Sequence, residues 1–310
     1  MKRLLCIGLA VIVVMTVSSA SAQTITVDDI GADYEWGKYE SYDGAKLDLF
    51  VFRPAGHSPS DSRTAVVCIH GGGWVGGKPE YFFPHCEYFS KRGAVAFSIR
   101  YRLVEERGIG AFDEVERCIA DCKAAIRYIR NHAGTYGIDP DRIAVLGDSA
   151  GGHLAACLAV MGGPEGNDAD SMANAAVCYN PCVDMDIPLV MRIFGIEGRE
   201  SGGETVFPEN VHDRARDVSP IGFVRSGQPP VLVMHGTEDT VVPPEQSRRF
   251  TEAMTAAGNR SELIMLDGEK HAFVIVGIGT EKTIVGSLWE TDRFLASLGF
   301  LEGEPLVGMR

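Results

Sequence analysis

A serine lies between two glycines in the pentapeptide GDSAG, which is centred on Ser149. The apolar run 143–146 before it is typical of a buried parallel strand, and residues 150–161 have the Ala and Leu spacing of a helix. A sharp strand-to-helix turn strains the serine backbone and exposes its hydroxyl, and the glycines let strand and helix approach closely. Ser149 is therefore predicted to be a nucleophile that attacks a carbonyl carbon. The alternative is a serine that caps the helix.

A serine hydroxyl attacks well only when a base removes its proton, and the base needs an acid that orients it. His271 is the predicted base, because it lies just past the last predicted strand, in a loop that can reach over the sheet to Ser149. Asp239 is the predicted acid, because it lies in the polar turn that follows the apolar strand 231–234. The chain order Ser, Asp, His is that of one hydrolase fold and differs from both serine-protease orders. Asp184, after the preceding strand, is the alternative acid.

Three consecutive glycines follow an early strand, in the pentapeptide HGGGW at 70–74. Successive glycines can bend the chain so that backbone N–H groups point into a cavity. The N–H groups of Gly72, Gly73 and Ala150 are therefore the predicted oxyanion hole. A phosphate-binding loop is disfavoured, because no Gly-Lys-Ser/Thr and no helix pattern follow the glycines directly. Trp74 is a candidate substrate-binding residue in the acyl pocket, and packing in the core is its alternative role.

Apolar segments of strand character alternate with amphipathic segments along the rest of the chain. Residues 39–54 alternate around an Asp-Gly turn and predict a β-hairpin. Further strands are predicted at 64–69, 94–99, 142–146, 175–178, 231–234 and 262–266, and helices at 114–132, 150–161, 244–257 and 283–298. This alternation predicts an α/β fold with a mostly parallel central sheet and helices on both faces.

Residues 184–228 interrupt this alternation, because they are rich in Gly and charge and lack a clear strand. An unstructured loop of that length is unusual, so a small helical insertion is predicted. Insertions at the carboxyl ends of the strands lie over the binding crevice of an open α/β sheet, so the segment is interpreted as a cap over the site. The alternative is a surface segment that makes no contact with the substrate.

The N-terminal residues have the pattern of an export signal. Lys2-Arg3 supplies the positive charge, residues 4–14 supply an apolar core, and Ala20-Ser21-Ala22 supplies small residues for cleavage. We expect residues 1–22 to be removed, which leaves a catalytic domain at 23–310 in a secreted or periplasmic protein. An uncleaved anchor is the alternative, but the apolar run is shorter than the roughly 20 residues of a spanning helix.

The 310-residue chain has a formal net charge of −13 that no basic stripe offsets, which argues against a nucleic-acid partner. The pair Lys91-Arg92 is predicted to be a solvated helix end. Of the eight cysteines, those after Cys6 are odd in number, and several lie inside apolar runs where a thiol acts as a small core residue, so no disulfide framework is predicted. No Cys-x-x-Cys or nearby His pair supports a metal site, and no metal or organic cofactor is expected.

Together these motifs resemble the α/β-hydrolase superfamily, in particular its hormone-sensitive-lipase-like and acetylxylan/feruloyl-esterase-like branches. The matching motifs are HGGGW at 70–74, YRL at 101–103, GDSAGGH at 147–153, SPI at 219–221 and HGTEDTVVPPEQS at 235–247. The resemblance spans residues 39–300. His153 and the HGTED sequence favour the acetylxylan/feruloyl branch, since the hormone-sensitive-lipase-like enzymes more often carry Asn and a DPL-type acid segment there.

The resemblance implies a secreted serine carboxylesterase that cleaves short acyl esters, such as acetyl or feruloyl groups on a polysaccharide, through an acyl-enzyme on Ser149. A small-substrate amidase such as a formamidase remains open. An exopeptidase of the prolyl-oligopeptidase type is a further alternative, although the chain has no room for the propeller domain of those enzymes. The alternative that is not an enzyme is a hydrolase-fold binding protein, but such proteins usually lack a catalytic residue or the glycine loop.

Overall fold

The computed structural model describes residues 12–13, 25–26, 34–162, 169–201 and 204–307. The predicted leader at 1–22 lies outside the described residues except for Ile12–Val13, which pairs antiparallel with Ile25–Thr26. The leader therefore stays a prediction. In the described parts of the chain, no helix combines the length and the apolar character needed to cross a membrane.

An eight-stranded sheet forms the centre of the fold. Its strands are β1 (Tyr34–Glu40), β2 (Lys46–Phe52), β3 (Arg63–Ile69), β4 (Val95–Ile99), β5 (Ile138–Asp148), β6 (Ala175–Tyr179), β7 (Val231–Gly236) and β8 (Ser261–Leu266). Their order across the sheet is β8-β7-β6-β5-β3-β4-β2-β1. Strand β2 pairs antiparallel with β1 and β4, and the other neighbours are parallel. The predicted mostly parallel sheet is confirmed, and so is the hairpin, although β1 begins five residues before the predicted start at Tyr39.

Helices cover both faces of the sheet, as predicted. They are α1 (Phe83–Lys91), α2 (Gly110–Asn131), α3 (Ala133–Tyr136), α4 (Ala150–Val160), α5 (Pro188–Ile193), α6 (Val211–Asp217), α7 (Glu245–Ala256) and α8 (Glu281–Ser297). Along β3, Val67 belongs to the core cluster that includes α2, α4 and α7 on one face, whereas Val66 and Cys68 belong to the cluster that includes α1 and α8 on the other. This alternation follows from the two-residue period of a strand. Every residue of α4 is buried, which fits a helix that is apolar on all sides.

The segment 184–228 contains α5 and α6 and, between them, a two-stranded ribbon formed by Arg199–Ser201 and Glu204–Val206. This ribbon was not predicted from the sequence. Phe194, directly after α5, is fully buried and packs against the rings of Trp74 and Phe112. The start of the segment is therefore attached to the hydrophobic core.

A buried ion pair joins α1 to α8. The Nε of Arg92 lies 2.5 Å from Oδ2 of Asp292, and Nη2 of Arg92 lies 3.0 Å from Oδ1. The Tyr88 hydroxyl donates a further hydrogen bond to Oδ2 of Asp292 at 2.5 Å. The Arg92 side chain is 7% exposed and that of Asp292 is 0% exposed. The prediction that Arg92 is a solvated helix end is therefore wrong, because a partner 200 residues away in the sequence draws the guanidinium inward.

We expect Arg92→Ala to lower the free energy of unfolding by about 3–5 kcal/mol, because it leaves the Asp292 carboxylate buried without its counter-charge. Arg216→Ala is the matched control, since the Arg216–Asp213 pair is exposed on both sides. Its effect should stay within about 0.5 kcal/mol. Urea unfolding curves of the two variants measure both values, and equal effects would show that the buried pair contributes no more than a surface pair.

Candidate active site

Ser149 occupies the turn between β5 and α4, with backbone angles φ 55° and ψ −116°. A Cβ on Gly147 would overlap the carbonyl oxygen of Gly151, and a Cβ on Gly151 would overlap that of Ile69. Only glycine permits this approach of strand and helix, and the strained serine conformation costs on the order of 1–3 kcal/mol. The turn holds Ser149 at the carboxyl edge of the sheet, between β3 and β6.

A continuous chain of hydrogen bonds joins the predicted nucleophile, base and acid. Nε2 of His271 lies 2.8 Å from Oγ of Ser149, and Nδ1 of His271 lies 2.7 Å from Oδ2 of Asp239. Asp239 follows the end of β7, and His271 follows the end of β8. Because β5, β6, β7 and β8 are parallel neighbours, their carboxyl ends lie at one edge of the sheet. This geometry allows proton transfer from Ser149 to a histidine held by a carboxylate.

The Asp239 carboxylate is held on both oxygens. Oδ1 accepts from the N–H groups of Val241 and Val242 at 2.8 and 2.9 Å, and Oδ2 also contacts Nε2 of His235 at 3.1 Å. Burial acts to raise the pKa of Asp239, but hydrogen bonds from His235 and His271 outweigh it and hold that pKa well below its usual value. The carboxylate therefore stays charged at neutral pH and can stabilise an imidazolium at His271.

His235 also belongs to the site, although it was not predicted from the sequence. It is fully buried, and its Nδ1 lies 2.6 Å from the hydroxyl oxygen of Ser247 on α7. The sequence carried a signal, since His235 stands at the end of a predicted strand and four residues before Asp239. The alternative acid Asp184 bonds elsewhere: its Oδ2 lies 3.1 Å from Nη1 of Arg249, and its Oδ1 accepts from the backbone N–H of Asp186.

The glycine loop lies beside the nucleophile. Gly72 and Gly73 have φ values of 126° and 62° and line the same cavity as Ser149. The N–H of Gly76 donates to the carbonyl of Gly72 at 3.0 Å and closes the turn. Ala150 is the first residue of α4, where an N–H has no acceptor within the helix. Among the hydrogen bonds of the described residues, none is donated by the N–H groups of Gly72, Gly73 and Ala150, so all three are available to an anionic oxygen.

Two buried histidines fix the ends of this loop. The ring of His70 stacks on Tyr101 with centroids 4.4 Å apart, and the Tyr101 hydroxyl donates to the His70 carbonyl. At the other end, Nε1 of Trp74 donates to Nδ1 of His153 at 3.1 Å. Burial lowers the pKa of His153 to about 4, so the ring is neutral, and its Nε2–H donates to the carbonyl of Val218 at 2.7 Å. Trp74 thus ties the loop to α4 and to the segment 184–228, while it also lines the cavity.

A second carboxyl group lies next to the nucleophile. Asp148 is buried, and its Oδ1 accepts from Nδ2 of Asn180 at 2.8 Å, while Oδ1 of Asn180 accepts from the N–H of Ala272 at 3.2 Å. Asn180 therefore links the residue before Ser149 to the residue after His271. Burial raises the pKa of Asp148 from 3.8 to about 6, although His271 and Asn180 act to lower it. Sequence reasoning overlooked Asn180, whose position directly behind a predicted strand was the available signal.

These groups surround a cavity of about 490 Å³. Its wall includes Asp148, Ser149 and His271, and α5 of the segment 184–228 contributes Leu189 and Ile193. The described cysteines at 68, 86, 118, 122, 157, 178 and 182 are free thiols that lie buried elsewhere in the core or, for Cys182, at the cavity wall. Within the described ranges, no group of three or more His, Cys, Asp and Glu side chains is arranged to hold a metal ion.

The raised pKa of Asp148 predicts how stability changes with pH. The folded state binds this proton more tightly than the unfolded state, so the stabilisation is full below pH 4 and is lost as the pH rises through about 6. Asp148→Asn cannot ionise and keeps an acceptor for Asn180. We expect the unfolding free energy of the variant, relative to wild type, to increase by about 2.5 kcal/mol between pH 4 and 7. Urea unfolding at several pH values measures this difference, and a constant difference would contradict the assignment.

Comparisons with known proteins identify relatives of this chain. The model of the BD-FAE family matches residues 49–254. The chain is 29% identical to the esterase LipQ of Mycobacterium tuberculosis (strain ATCC 25618 / H37Rv) over 248 residues, which cover 73% of this chain and 54% of LipQ. The chain thus spans about half the length of the curated relatives that it matches.

Solved structures of Thermogutta terrifontis esterase 2 are similar over most of both chains. The form phosphoramylated by tabun is 37% identical, covers 87% of this chain and 97% of that chain, and has a TM-score of 0.73. The butyrate-bound form is 36% identical, and the match covers 89% of this chain and 98% of that chain with a TM-score of 0.72. Since the family model covers more than half of the sequence, the chain belongs to the BD-FAE family, and its mostly parallel sheet together with the TM-score of 0.73 confirms the predicted α/β-hydrolase fold.

Proposed function

We propose that this protein is a serine carboxylesterase that hydrolyses short acyl esters. The observation that carries the proposal is the hydrogen-bonded chain from Asp239 through His271 to Ser149, with free N–H groups beside it. The relationship to the Thermogutta esterase supports it, because solved forms of that esterase are phosphoramylated by tabun and bound to butyrate.

The geometry supports an acyl-enzyme mechanism. Oγ of Ser149 attacks the ester carbonyl carbon as Nε2 of His271 takes its proton, and the Asp239 carboxylate stabilises the imidazolium. The carbonyl oxygen, now negative, accepts hydrogen bonds from the N–H groups of the oxyanion hole. His271 then donates its proton to the leaving alcohol, which breaks the ester bond. Water, deprotonated by the same histidine, attacks the acyl-enzyme and releases the acid and free Ser149.

The cavity wall favours a short acyl chain. Ile193 of α5 lies over the glycine loop, where its Cδ1 would be 3.5 Å from a Cβ placed on Gly73. A long acyl chain beside the oxyanion hole would have to displace this side chain. In this proposal the segment 184–228 acts as the cap over the site. The narrower hypothesis from the sequence, acetyl or feruloyl groups on a polysaccharide, concerns the same reaction and stays a prediction.

We expect p-nitrophenyl acetate to have a kcat/KM about tenfold or more above that of p-nitrophenyl octanoate, because overpacking against Ile193 opposes the longer chain. Ser149→Ala should abolish both activities and covalent labelling by a fluorophosphonate. The anilide p-nitroacetanilide tests the amidase alternative. Preference for octanoate would reject the short-acyl proposal, comparable cleavage of the anilide would favour an amidase, and labelling of Ser149→Ala would identify another nucleophile.

Asp239→Asn should lower kcat for p-nitrophenyl acetate by about 10⁴-fold, because the amide would hold His271 in the wrong tautomer. Asp184→Asn is the matched control, since Asp184 bonds to Arg249 and the Asp186 backbone instead of to the base. Its kcat should remain within about threefold of wild type, well under 1 kcal/mol. A larger loss in Asp184→Asn than in Asp239→Asn would reverse the assignment of the acid.

A further inference from the structure

The mechanism determines which side of the cavity receives the alcohol part of the ester. His271 donates its proton to the leaving oxygen, so that oxygen must lie within hydrogen-bond reach of Nε2. The carbonyl oxygen points instead to the N–H groups of Gly72, Gly73 and Ala150. The alcohol portion therefore extends along the loops that carry His271 and Asp239.

Those two loops present aliphatic side chains to the cavity. Val276 and Ile278 follow His271, Val241 follows Asp239, and all three line the cavity. We call these three residues the alcohol collar. The loop after His271 is fixed from below, because Phe273 is 1% exposed and packs edge-on against Tyr179 with ring centroids 6.2 Å apart.

The collar is held in an exposed position by the backbone. The N–H of Ile278 donates to the carbonyl of Ile275 at 3.0 Å, which makes a turn with Ile278 at its outer side. Ile278 is 66% exposed and Val241 is 41% exposed, although both line the cavity. Large aliphatic groups at a cavity mouth mark a surface that a ligand covers, because covering them removes apolar area from water.

The chemistry of the collar selects against a polar leaving group. Its side chains offer no hydrogen-bond donor or acceptor, and the polar side chains of the described cavity wall, namely Trp74, Tyr81, Asp148, Ser149, Cys182 and His271, lie outside the collar. A sugar alcohol bound against the collar would lose water from its hydroxyls without gaining hydrogen-bond partners from the collar side chains, which costs free energy. The alkyl portion of an apolar alcohol has no hydroxyl groups that would lose hydrogen bonds to water there.

We propose that the alcohol collar is a leaving-group subsite that selects esters of apolar alcohols. This inference rests on the proposed esterase function of Ser149. It names the alcohol side of the substrate, and it favours an apolar alcohol over the sugar hydroxyl of a polysaccharide.

The test keeps the acyl group constant and varies the alcohol. Methyl, butyl and hexyl acetate and an acetylated xylo-oligosaccharide are compared by titrating the acetic acid released by the full chain. We expect the ratio of kcat/KM for hexyl over methyl acetate to be at least about tenfold, since added methylenes cover Val241 and Ile278. In the double variant Val241→Thr/Ile278→Thr this ratio should fall to about threefold or less.

Leu306→Thr is the matched control, because Leu306 is also an exposed aliphatic side chain, at 37%, but lies outside the segment 184–228 and does not line the cavity. Its hexyl-to-methyl ratio should equal that of wild type. A flat wild-type series, a ratio that survives in the double variant, or a xylo-oligosaccharide preferred over hexyl acetate would overturn the subsite. Failure of the esterase function itself gives a different result. Either the wild-type protein hydrolyses none of the acetate esters, or Ser149→Ala hydrolyses them as well as the wild type does.

Discussion

The close approach of β5, β3 and α4 at the serine turn is the constraint on which the site depends. Gly147 and Gly151 have no Cβ, so α4 can begin directly against the carbonyl groups of the neighbouring strand. This contact sets the positive φ of Ser149 and aims its hydroxyl out of the sheet edge. It also places the N–H of Ala150 beside the same hydroxyl. A side chain at either glycine would separate strand from helix, and the predicted nucleophile would move away from both the predicted base and the predicted oxyanion donors.

Because these strands pair in parallel, the other predicted site residues lie along the same edge of the sheet. The glycine loop follows β3, Ser149 follows β5, Asn180 follows β6, Asp239 follows β7 and His271 follows β8. Because parallel neighbours end side by side, five separate chain segments deliver polar groups to one region without any long loop. Asn180 and the other buried partners then fix the orientation of these groups. A site built from strand ends is held by the stability of the whole sheet.

Several apolar side chains of the cavity wall come from the loops after the strands and from the segment 184–228. Ile193 lies against the glycine loop, and Val241 and Ile278 lie on the loops of the acid and base. These side chains are apolar, whereas the reacting groups are polar and hydrogen-bonded to one another. In the proposed esterase, the polar groups carry out the reaction, and the apolar surface that the acyl and alcohol portions cover selects the substrate.

Much of the fold and most of the site could be predicted from the sequence, because the signals are local. Apolar runs and helical spacing predicted the eight strands of the sheet and the helices α2, α4, α7 and α8, although not α1 or α3, and polar residues after strands predicted Ser149, Asp239 and His271. The signals failed where long-range contacts decide. The burial of Arg92 depends on Asp292 on another helix, and the ribbon after α5 has too few residues for a periodic pattern.

The amino-acid sequence by itself determined the order of the elements, the serine turn and the chemical types available at the sheet edge. Only the tertiary structure decided that His271 bonds to Asp239 and that Asp184 bonds to Arg249, since both carboxylates follow strands at the same edge. It also decided that His235 supports the acid and that Ile278 stands exposed at the cavity mouth. The spacing of apolar residues along the chain determines which strands and helices form. The direction of a loop side chain depends instead on packing between segments that are far apart in the chain.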